Sequence, residues 1–272
     1  MKSVIPKFTG VSLAVFGLAL TIPVLDVWAD DDELPFSEAH LFFELNNTDG
    51  DLGIHALIDG DAWKKLAIED PNEREILNVR VGGRLQRQGL TEIFFESAEP
   101  PFDELSPQRF FRRFPAGTYE IEGRTLDGKE LESKAQLTHV MPAPPAPYVN
   151  GLPMAQQCDE EDPGYDATVT SAPVTISWDP VMKSHPDPNG GGAGVQPPVD
   201  VIIHNYEVVL EVAVDVNGEE FNSKINVILP PGETSITIPD GFLGQGEEFK
   251  YEVLAREASY NQTAVESCFI VQ

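Results

Sequence analysis

The stretch TYEIEGRTLDGKELESKAQLTHV (residues 118–140) predicts a β-hairpin. In its two arms, 118–126 and 130–140, apolar and polar residues alternate, as they do in strands that bury one face. Asp127-Gly128 between the arms is a strong signal for a type I′ turn. We therefore expect β-structure in this part of the chain.

Five further segments in the same half are expected to be strands, because several of them alternate in the same way. Turn signals separate them at Asp59-Gly60, Asp70-Pro71-Asn72 and Gly82-Gly83. The five segments are AHLFFEL (39–45), GIHALI (53–58), WKKLAIE (63–69), ILNVRV (76–81) and TEIFFES (91–97).

One helix is expected to interrupt these strands. Ser106 can cap it, Pro107 fits its first position, and Pro115 ends it. Phe110, Phe111 and Phe114 supply its packing face. Seven strands with one helical connection predict an immunoglobulin-like β-sandwich over residues 38–141.

The segment MPAPPAP (141–147) marks a domain boundary, because four prolines in seven residues favour an extended polyproline spacer. We place a Pro-rich linker at 142–147 and a second domain at 148–272. The expected fold class is all-β, with two β-sandwiches in tandem.

The second domain resembles the fibronectin type III family. APVTISWDPV (172–181) is similar to the family's second strand with its buried tryptophan, and NYEVVLEV (205–212) to the strand that carries a tyrosine. Residues 234–271 follow the family's closing pattern, at the spacing of Leu243, Phe249, Tyr251, Val253 and Ala255. The resemblance implies a non-catalytic module for adhesion, spacing or protein recognition.

Three features depart from that family. Phe249 stands where the family has a tyrosine whose hydroxyl ties a corner to the backbone. The stretch 182–200 is long and rich in Gly and Pro, which predicts a mobile loop. Cys158 and Cys268, the only cysteines, are expected to form one disulfide.

The N-terminal 29 residues read as a secretory signal peptide, with Lys2 and Lys7 before an apolar run from Val11 to Val24. An acidic disordered leader is expected at 30–37. The mature chain is therefore expected to be secreted, periplasmic or on the cell surface, without membrane insertion. The net charge of −27 repels phosphate backbones, so nucleic acid is not an expected partner.

The sequence contains no motif typical of a nucleophilic or zinc hydrolase, since GxSxG and HExxH are absent. The five histidines, His40, His55, His139, His185 and His204, are isolated from one another along the chain. We expect a protein that is not an enzyme. The sequons at Asn46 and Asn261 would matter only in a host that glycosylates them.

The stretch NNTDGDLGIHALIDGD (46–61) is the strongest candidate for a metal site. Its oxygen-rich residues suit calcium, and the candidate ligands are Asn47, Asp49, Asp51, Asp59 and Asp61. An EF-hand is excluded, because Leu52 occupies the glycine position and Ile58 the glutamate position. The preferred interpretation is two turns around a strand at 53–58, in which Asn and Asp act as turn formers.

These observations favour a secreted or cell-surface binding or structural protein whose partner is a protein or a surface polymer. Self-assembly through exposed sheet edges is also open. A carbohydrate-binding module would need an exposed aromatic row, with Trp63, Phe94, Phe95 and Tyr148 as candidates. A carboxylate-dependent hydrolase would need a buried acid with a raised pKa in a cleft.

Overall fold

The computed structural model describes residues 33–187 and 197–272. The expected signal peptide, the first residues of the expected leader and the glycine run 190–194 lie outside these ranges. Within them, no helix has the length and apolar character needed to cross a membrane.

The fold is all-β, as expected, and the described residues form 16 strands and two short α-helices. The first half contains β1 (Glu33–Leu34), β2 (Glu38–Asn46), β3 (Asp51–Glu69), β4 (Glu75–Arg80), β5 (Leu90–Glu96), α1 (Pro107–Arg113), β6 (Gly117–Thr125) and β7 (Glu130–Leu137). The second half contains β8 (Pro147–Val149), β9 (Leu152–Pro153), β10 (Thr168–Thr170), β11 (Thr175–Trp178), β12 (Ile203–Val216), β13 (Glu219–Leu229), β14 (Ser235–Thr237), α2 (Asp240–Leu243), β15 (Glu248–Glu257) and β16 (Gln262–Val271).

The hairpin of β6 and β7 forms as its sequence predicts, but its turn is different. The strands pair antiparallel, and the Thr125 N–H donates to the Lys129 carbonyl at 3.0 Å, which leaves a three-residue loop. Gly128 alone in that loop has a positive φ, of 96°. A type I′ turn requires positive φ at both central residues. The prediction of a type I′ turn is therefore wrong, and Gly128 is the third residue of a three-residue loop.

Strand β3 is one long, bent strand where the sequence predicted two strands and a turn. Its first part pairs with β2 and β5, its second part pairs with β4 and β6, and the register shifts between Asp59 and Trp63. Gly60 is required for packing, because a Cβ there would lie 2.9 Å from the Phe36 ring. The predicted turn at Asp59-Gly60 is therefore a bend that carries β3 from one layer of the sandwich to the other.

The first core lies between these layers. Alternation in β2 and early β3 turns Leu41, Phe43 and Ile54 inward, and β6 contributes Tyr119 and Ile121 from the other layer. Helix α1 adds Phe110, which contacts Phe43 with ring centroids 5.6 Å apart. Ser106 precedes α1 as expected, although its side chain makes no capping hydrogen bond.

The expected disordered leader is wrong for residues 33–37. Strand β1 pairs parallel with β7, and the buried Phe36 donates its N–H to Ser133 Oγ at 3.0 Å. Burial of the Phe36 ring against the first core explains why this short, acidic segment is ordered.

The second core lies between a sheet of β14-β11-β8-β9 and the strands β16-β15-β12-β13. Trp178 is buried there against Tyr206, whose hydroxyl accepts a hydrogen bond from the Val181 N–H at 2.9 Å. Phe249 stacks on Phe269 with centroids 5.1 Å apart. Strand β11 is shorter than the predicted 172–181. The five residues that carry the fibronectin-like spacing, Leu243, Phe249, Tyr251, Val253 and Ala255, are all buried.

The two halves form one compact unit. Strand β16 pairs parallel with β2, so one sheet runs through both halves. The fully buried Asn261 accepts from the Phe43 N–H and donates to the carbonyls of Thr138 and Val140. Because its side-chain amide is fully used, the sequon at Asn261 is inaccessible in the folded chain.

The sequence predicted an extended Pro-rich linker at 142–147 and a mobile loop at 182–200. Within the described residues, hydrogen bonds connect these two segments to each other. The Ala143 N–H donates to the Lys183 carbonyl at 2.9 Å, and Pro142 bridges to Ser184. The Ser184 N–H in turn donates to the Val199 carbonyl at 2.8 Å. The proline segment does separate the two cores, but it packs onto the second one.

Candidate functional site

The outer face of the shared sheet is rich in carboxylates. Because residues alternate along each strand, the strands that bury Val208, Leu210 and Val253 turn their glutamates away from the core. Only a few bases neutralise them: Arg256 pairs with Glu207 at 3.2 Å, and Lys224 pairs with Glu211 at 2.9 Å.

A groove of about 740 Å³ opens on this face where the two halves meet. The β2–β3 turn forms one side, residues 155–160 form another, and strands β12, β13, β15 and β16 form the floor and rim. One lysine, Lys250, lines the groove. Eight carboxylates line it, from Asp49, Asp159, Glu160, Glu211, Glu220, Glu247, Glu248 and Glu266.

The disulfide Cys158–Cys268, expected from the sequence, forms and holds one wall of the groove against β16. Asp166 Oδ1 accepts hydrogen bonds from the N–H groups of Gln156 and Gln157, at 2.9 and 2.8 Å. The Ser267 hydroxyl donates to the Ala155 carbonyl at 3.1 Å. This covalent and hydrogen-bonded support gives the wall a fixed position.

Two neighbouring glutamates beside the groove have raised pKa values. Glu252 on β15 and Glu266 on β16 are direct cross-strand partners. Burial, followed by the charges of Glu44, Glu266 and Glu207, raises the pKa of Glu252 to about 8, although Lys224 opposes the shift. Burial and the charge of Asp49 also raise the pKa of Glu266. Glu252 is therefore protonated over much of the neutral range.

The turn at residues 46–50 contains the first of the predicted calcium ligands. Asn46 Oδ1 accepts hydrogen bonds from the N–H groups of Thr48 and Asp49. The Gly50 N–H donates to the Asn46 carbonyl at 2.9 Å, and this bond closes the turn. Asn47 Oδ1 lies 3.1 Å from His185 Nε2 in the second half of the chain. Asn46 thus acts as the turn former, and Asp49 lines the groove.

The five predicted calcium ligands do not converge. Asp51 and Asp59 lie eight residues apart on the straight part of β3, which is about 26 Å at the usual rise of a strand. Asp59 accepts from the Ser37 hydroxyl at 2.8 Å, and Asp61 is exposed at the bend. The composite site of Asn47, Asp49, Asp51, Asp59 and Asp61 is therefore not formed.

Asp51 belongs to a different group of charges. Burial and the neighbouring charge of Glu99 raise the pKa of Asp51 to about 6. Its Oδ1 is buried, and no hydrogen bond reaches that atom from the described parts of the chain.

His55 has no signal in the sequence as a site residue, yet it lies within a cluster of carboxylates. His55 Nε2 lies 3.0 Å from Glu99 Oε1, and Nδ1 lies 3.7 Å from Glu44 Oε2. Burial of the ring opposes protonation, but the Glu99 hydrogen bond and the charges of Glu44, Glu99 and Glu96 outweigh it and raise the pKa of His55. These residues are far apart in sequence, and only the pairing of β3 with β2 and β5 brings them together.

The other histidines have aromatic or polar partners. His40 stacks on Tyr260 at 3.9 Å, and His204 contacts the same ring at 5.0 Å, so these two are neighbours despite their separation in sequence. His139 stacks on Phe111 at 4.3 Å.

The exposed aromatic row required for carbohydrate binding is not formed by the candidate residues. Trp63 is fully buried, Phe95 packs against the first core and Tyr148 is half-buried. Phe94 is exposed.

Comparisons with known proteins do not assign a family. No protein-family model matches the chain, and no curated protein matches it. A 1.5-MDa bacterial ice-binding adhesin shares 10% identity and a TM-score of 0.21, over 88% of this chain and 65% of that chain. A tetra-tandem repeat of a large adhesion protein shares 14% identity and a TM-score of 0.24, over 86% and 50% of the two chains.

A biofilm-associated protein domain gives 11% identity and a TM-score of 0.24, over 87% of this chain and 29% of that chain. The chain thus spans less than two thirds of the length of these structures. Similarity at these TM-scores carries no argument about function.

Proposed function

We propose that this chain is a secreted or cell-surface, non-catalytic binding module that captures a cationic partner in its acidic groove. The observation that carries the proposal is the lining of the groove, which has eight carboxylates and one lysine on a backbone fixed by strands and a disulfide. The preferred partner is a basic segment of a protein. A cationic surface polymer is the competing occupant.

Electrostatics supports this assignment. A concave surface lined by one sign of charge concentrates oppositely charged ligands and accelerates their association. The chain as a whole carries a net charge of −27, so the field outside the groove has the same sign as the field inside it. A lysine- and arginine-rich segment would thus be attracted at long range and held at short range by charge-assisted hydrogen bonds.

The open form of the groove also favours binding over chemistry. Its walls come from a sheet face and a surface segment, and Val212 of the second core reaches its lining. Such a surface suits an extended segment better than a small substrate that must be shielded from water.

The experiment measures binding of deca-lysine to two variants of equal net charge. In the first, Glu160, Glu220 and Glu247 in the groove are changed to Gln. In the second, the exposed Glu38, Glu73 and Glu92 elsewhere are changed to Gln. We expect the groove variant to bind at least tenfold more weakly at low salt and the control to differ by less than threefold.

Equal losses in the two variants would show that net charge alone drives binding and would overturn the groove as the site. A cationic polysaccharide assayed in parallel separates the two occupants, because tighter and groove-dependent binding of the polysaccharide would favour the polymer.

A second candidate function, a carboxylate-dependent hydrolase, has one observation in its favour. Glu252, with its pKa near 8, directly faces Glu266 across the two strands, and two carboxyl groups at short separation are typical of retaining glycosidases. Burial, together with repulsion from the neighbouring carboxylates, explains the same shift without chemistry. Turnover of chromogenic glycosides that disappears in Glu252→Gln would favour the hydrolase over the binding module.

Secretion, the fibronectin type III relationship and self-assembly are parts of this proposal. The disulfide supports an oxidising compartment. The two-sheet arrangement around Trp178 supports the fibronectin-like interpretation. Among the strands of residues 33–187 and 197–272, β13 pairs only with β12, and it exposes Phe221 and Ile228, so its outer edge is the natural surface for a second copy.

A further inference from the structure

The ring of His55 lies between carboxylates on both sides. The side chain is only 4% exposed, with Glu99 at 3.0 Å from Nε2 and Glu44 at 3.7 Å from Nδ1. One ligand atom each from His55, Glu96 and Glu99 lies within 4.8 Å of the other two. We propose that His55, Glu96 and Glu99 bind a divalent transition metal of the zinc class, with Glu44 as the residue that orients the imidazole.

The distance between His55 and Glu99 fits such an ion with little movement, and the Glu96 carboxylate lies close enough to join them by a side-chain rotation. Zinc lies about 2.0 to 2.1 Å from nitrogen and oxygen ligands in a tetrahedral arrangement, which sets neighbouring ligand atoms about 3.3 Å apart. The distance from His55 Nε2 to Glu99 Oε1 is 3.0 Å, so a few tenths of an ångström would admit the ion. Three protein ligands leave the fourth position for water or for a group of a bound partner.

A carboxylate lies near the second nitrogen of His55, as in many metal-binding histidines: Glu44 Oε2 is 3.7 Å from Nδ1, and a small rotation of either side chain would bring it to hydrogen-bond distance. Such a histidine donates its other N–H to a carboxylate or carbonyl, which fixes the tautomer and the plane of the ring. Glu44 faces Nδ1 and is itself held by the amide of Gln262, which donates to Glu44 Oε2. The nitrogen that faces Glu99 is thereby left as the metal ligand.

The backbone is shaped to bring the ligands together. His55 and Glu96 are direct cross-strand partners on β3 and β5. Gly53 leaves room for Glu99, because a Cβ at that position would lie 1.9 Å from Glu99 Oε1. The segment that leads to Glu99 is fixed by two hydrogen bonds between Ser97 and Ile54, both of 3.0 Å.

The charge balance also favours a cation. Within residues 33–187 and 197–272, no lysine or arginine forms an ion pair with Glu44, Glu96 or Glu99. Asp51 adds another carboxylate close to Glu99, with its buried Oδ1 unpartnered in the same ranges. Imidazole suits zinc and its neighbours, whereas calcium prefers six to eight oxygen ligands, so zinc fits this donor set better.

The rival explanation is a structural ion pair of a protonated His55 with Glu99 and Glu44, which needs no metal. The test uses the whole secreted chain after treatment with a chelator and dialysis. Zinc is titrated by calorimetry, and cobalt is added to a separate sample for visible absorption spectroscopy. Glu96→Gln removes a ligand whose residue is exposed, so folding is expected to be kept. Glu92→Gln, at an exposed position on the same strand, is the matched control.

We expect one zinc ion per chain, with affinity at least tenfold lower in Glu96→Gln and Glu99→Gln and unchanged in Glu92→Gln. Glu44→Gln is expected to weaken binding about tenfold, as losses of such supporting carboxylates do. Cobalt should give the visible bands of a site with low coordination number, and these bands should vanish in Glu99→Gln.

Absence of saturable zinc binding would overturn the proposal in favour of the ion pair. Zinc affinity that is equal in Glu96→Gln, Glu99→Gln and the parent chain would overturn it as well, since the ion would then bind elsewhere. Calcium binding that is tighter than zinc and sensitive to the same variants would overturn the assignment to the zinc class.

Discussion

The groove and the His55 cluster lie on the same acidic face, yet they differ in how their carboxylates are arranged. The groove spreads eight carboxylates over about 740 Å³ of open surface. The cluster places a buried imidazole and two carboxylates within 4.8 Å of one another. Density of acidic residues alone does not distinguish the two, whereas the spacing and burial of the ligand atoms do. The groove suits an extended cationic chain, and the cluster suits a single ion.

The largest expected effect comes from the disulfide, which supports the groove and has no direct contact with the His55 cluster. Cys158→Ala/Cys268→Ala opens a link that spans 110 residues. Chain-entropy reasoning gives a loss of about 4 kcal/mol in the free energy of unfolding. Urea denaturation measures it, and deca-lysine binding by the folded variant should fall because the wall at 155–160 is released.

Reduction of the disulfide in the parent chain is the control, because it breaks the same link without removing either side chain. A double variant that loses less than about 1 kcal/mol and still binds deca-lysine normally would show that hydrogen bonds alone hold the wall.

The next effect concerns Glu252, which lies between the groove and the His55 cluster. Glu266 in the groove and Glu44 beside His55 both repel its negative charge. Its folded pKa of about 8 exceeds the ordinary 4.5, so the native state binds the extra proton between these pH values. The contribution of Glu252 to stability therefore falls as pH rises from about 4.5 to 8. Glu252→Gln replaces the ionisable carboxyl group with a neutral amide, which removes the cost of holding a buried negative charge. The free energy of unfolding at pH 8 should therefore rise by about 2 to 4 kcal/mol.

Denaturation of both proteins at pH 4 and pH 8 measures this difference. At pH 4 the variant and the parent chain should agree within about 0.5 kcal/mol, because both side chains are then neutral. The exposed Glu92→Gln is the control on charge removal. Equal gains at the two pH values would contradict a raised pKa of Glu252 in the folded chain.

The smallest effect is the response to salt, which separates the two regions most cleanly. Exposed charges are screened beyond roughly 8 to 10 Å at ordinary ionic strength, whereas a buried ligand set is screened much less. Raising sodium chloride from 50 to 300 mM should weaken deca-lysine binding at least tenfold and zinc binding by less than about threefold. Parallel losses of both affinities would indicate that both ligands bind the same diffuse charge.

Sequence patterns predicted the strands and much of the core because alternation depends only on nearest neighbours along one chain. The hairpin of β6 and β7 and the buried face of β15 follow directly from it. The disulfide was predictable because only two cysteines were available.

The bend at Gly60 was not predictable, because a glycine required by the Phe36 ring looks the same in sequence as a glycine in a turn. The calcium interpretation failed for a related reason. It required the first turn to fold back toward Asp59 or Asp61, but β3 runs on from Asp51 past both residues.

Neither functional region has a local sequence signal. Asp49, Asp159, Glu220 and Glu266 meet in the groove only through strand pairing and the disulfide. His55 meets Glu99 only because β5 pairs with β3 and Gly53 leaves space above the strand. Long-range register, which composition does not encode, therefore decides both sites.

The most direct test of the central claim is to map where a basic segment binds. Backbone amide shifts of the isotopically labelled chain are followed by NMR as deca-lysine is added at low salt. We predict saturable shifts concentrated at the groove-lining residues 155–160, 211–213, 247, 248 and 250, and little change at the hairpin of β6 and β7. Shifts spread evenly over the acidic residues of both halves, or none at the groove, would contradict the account.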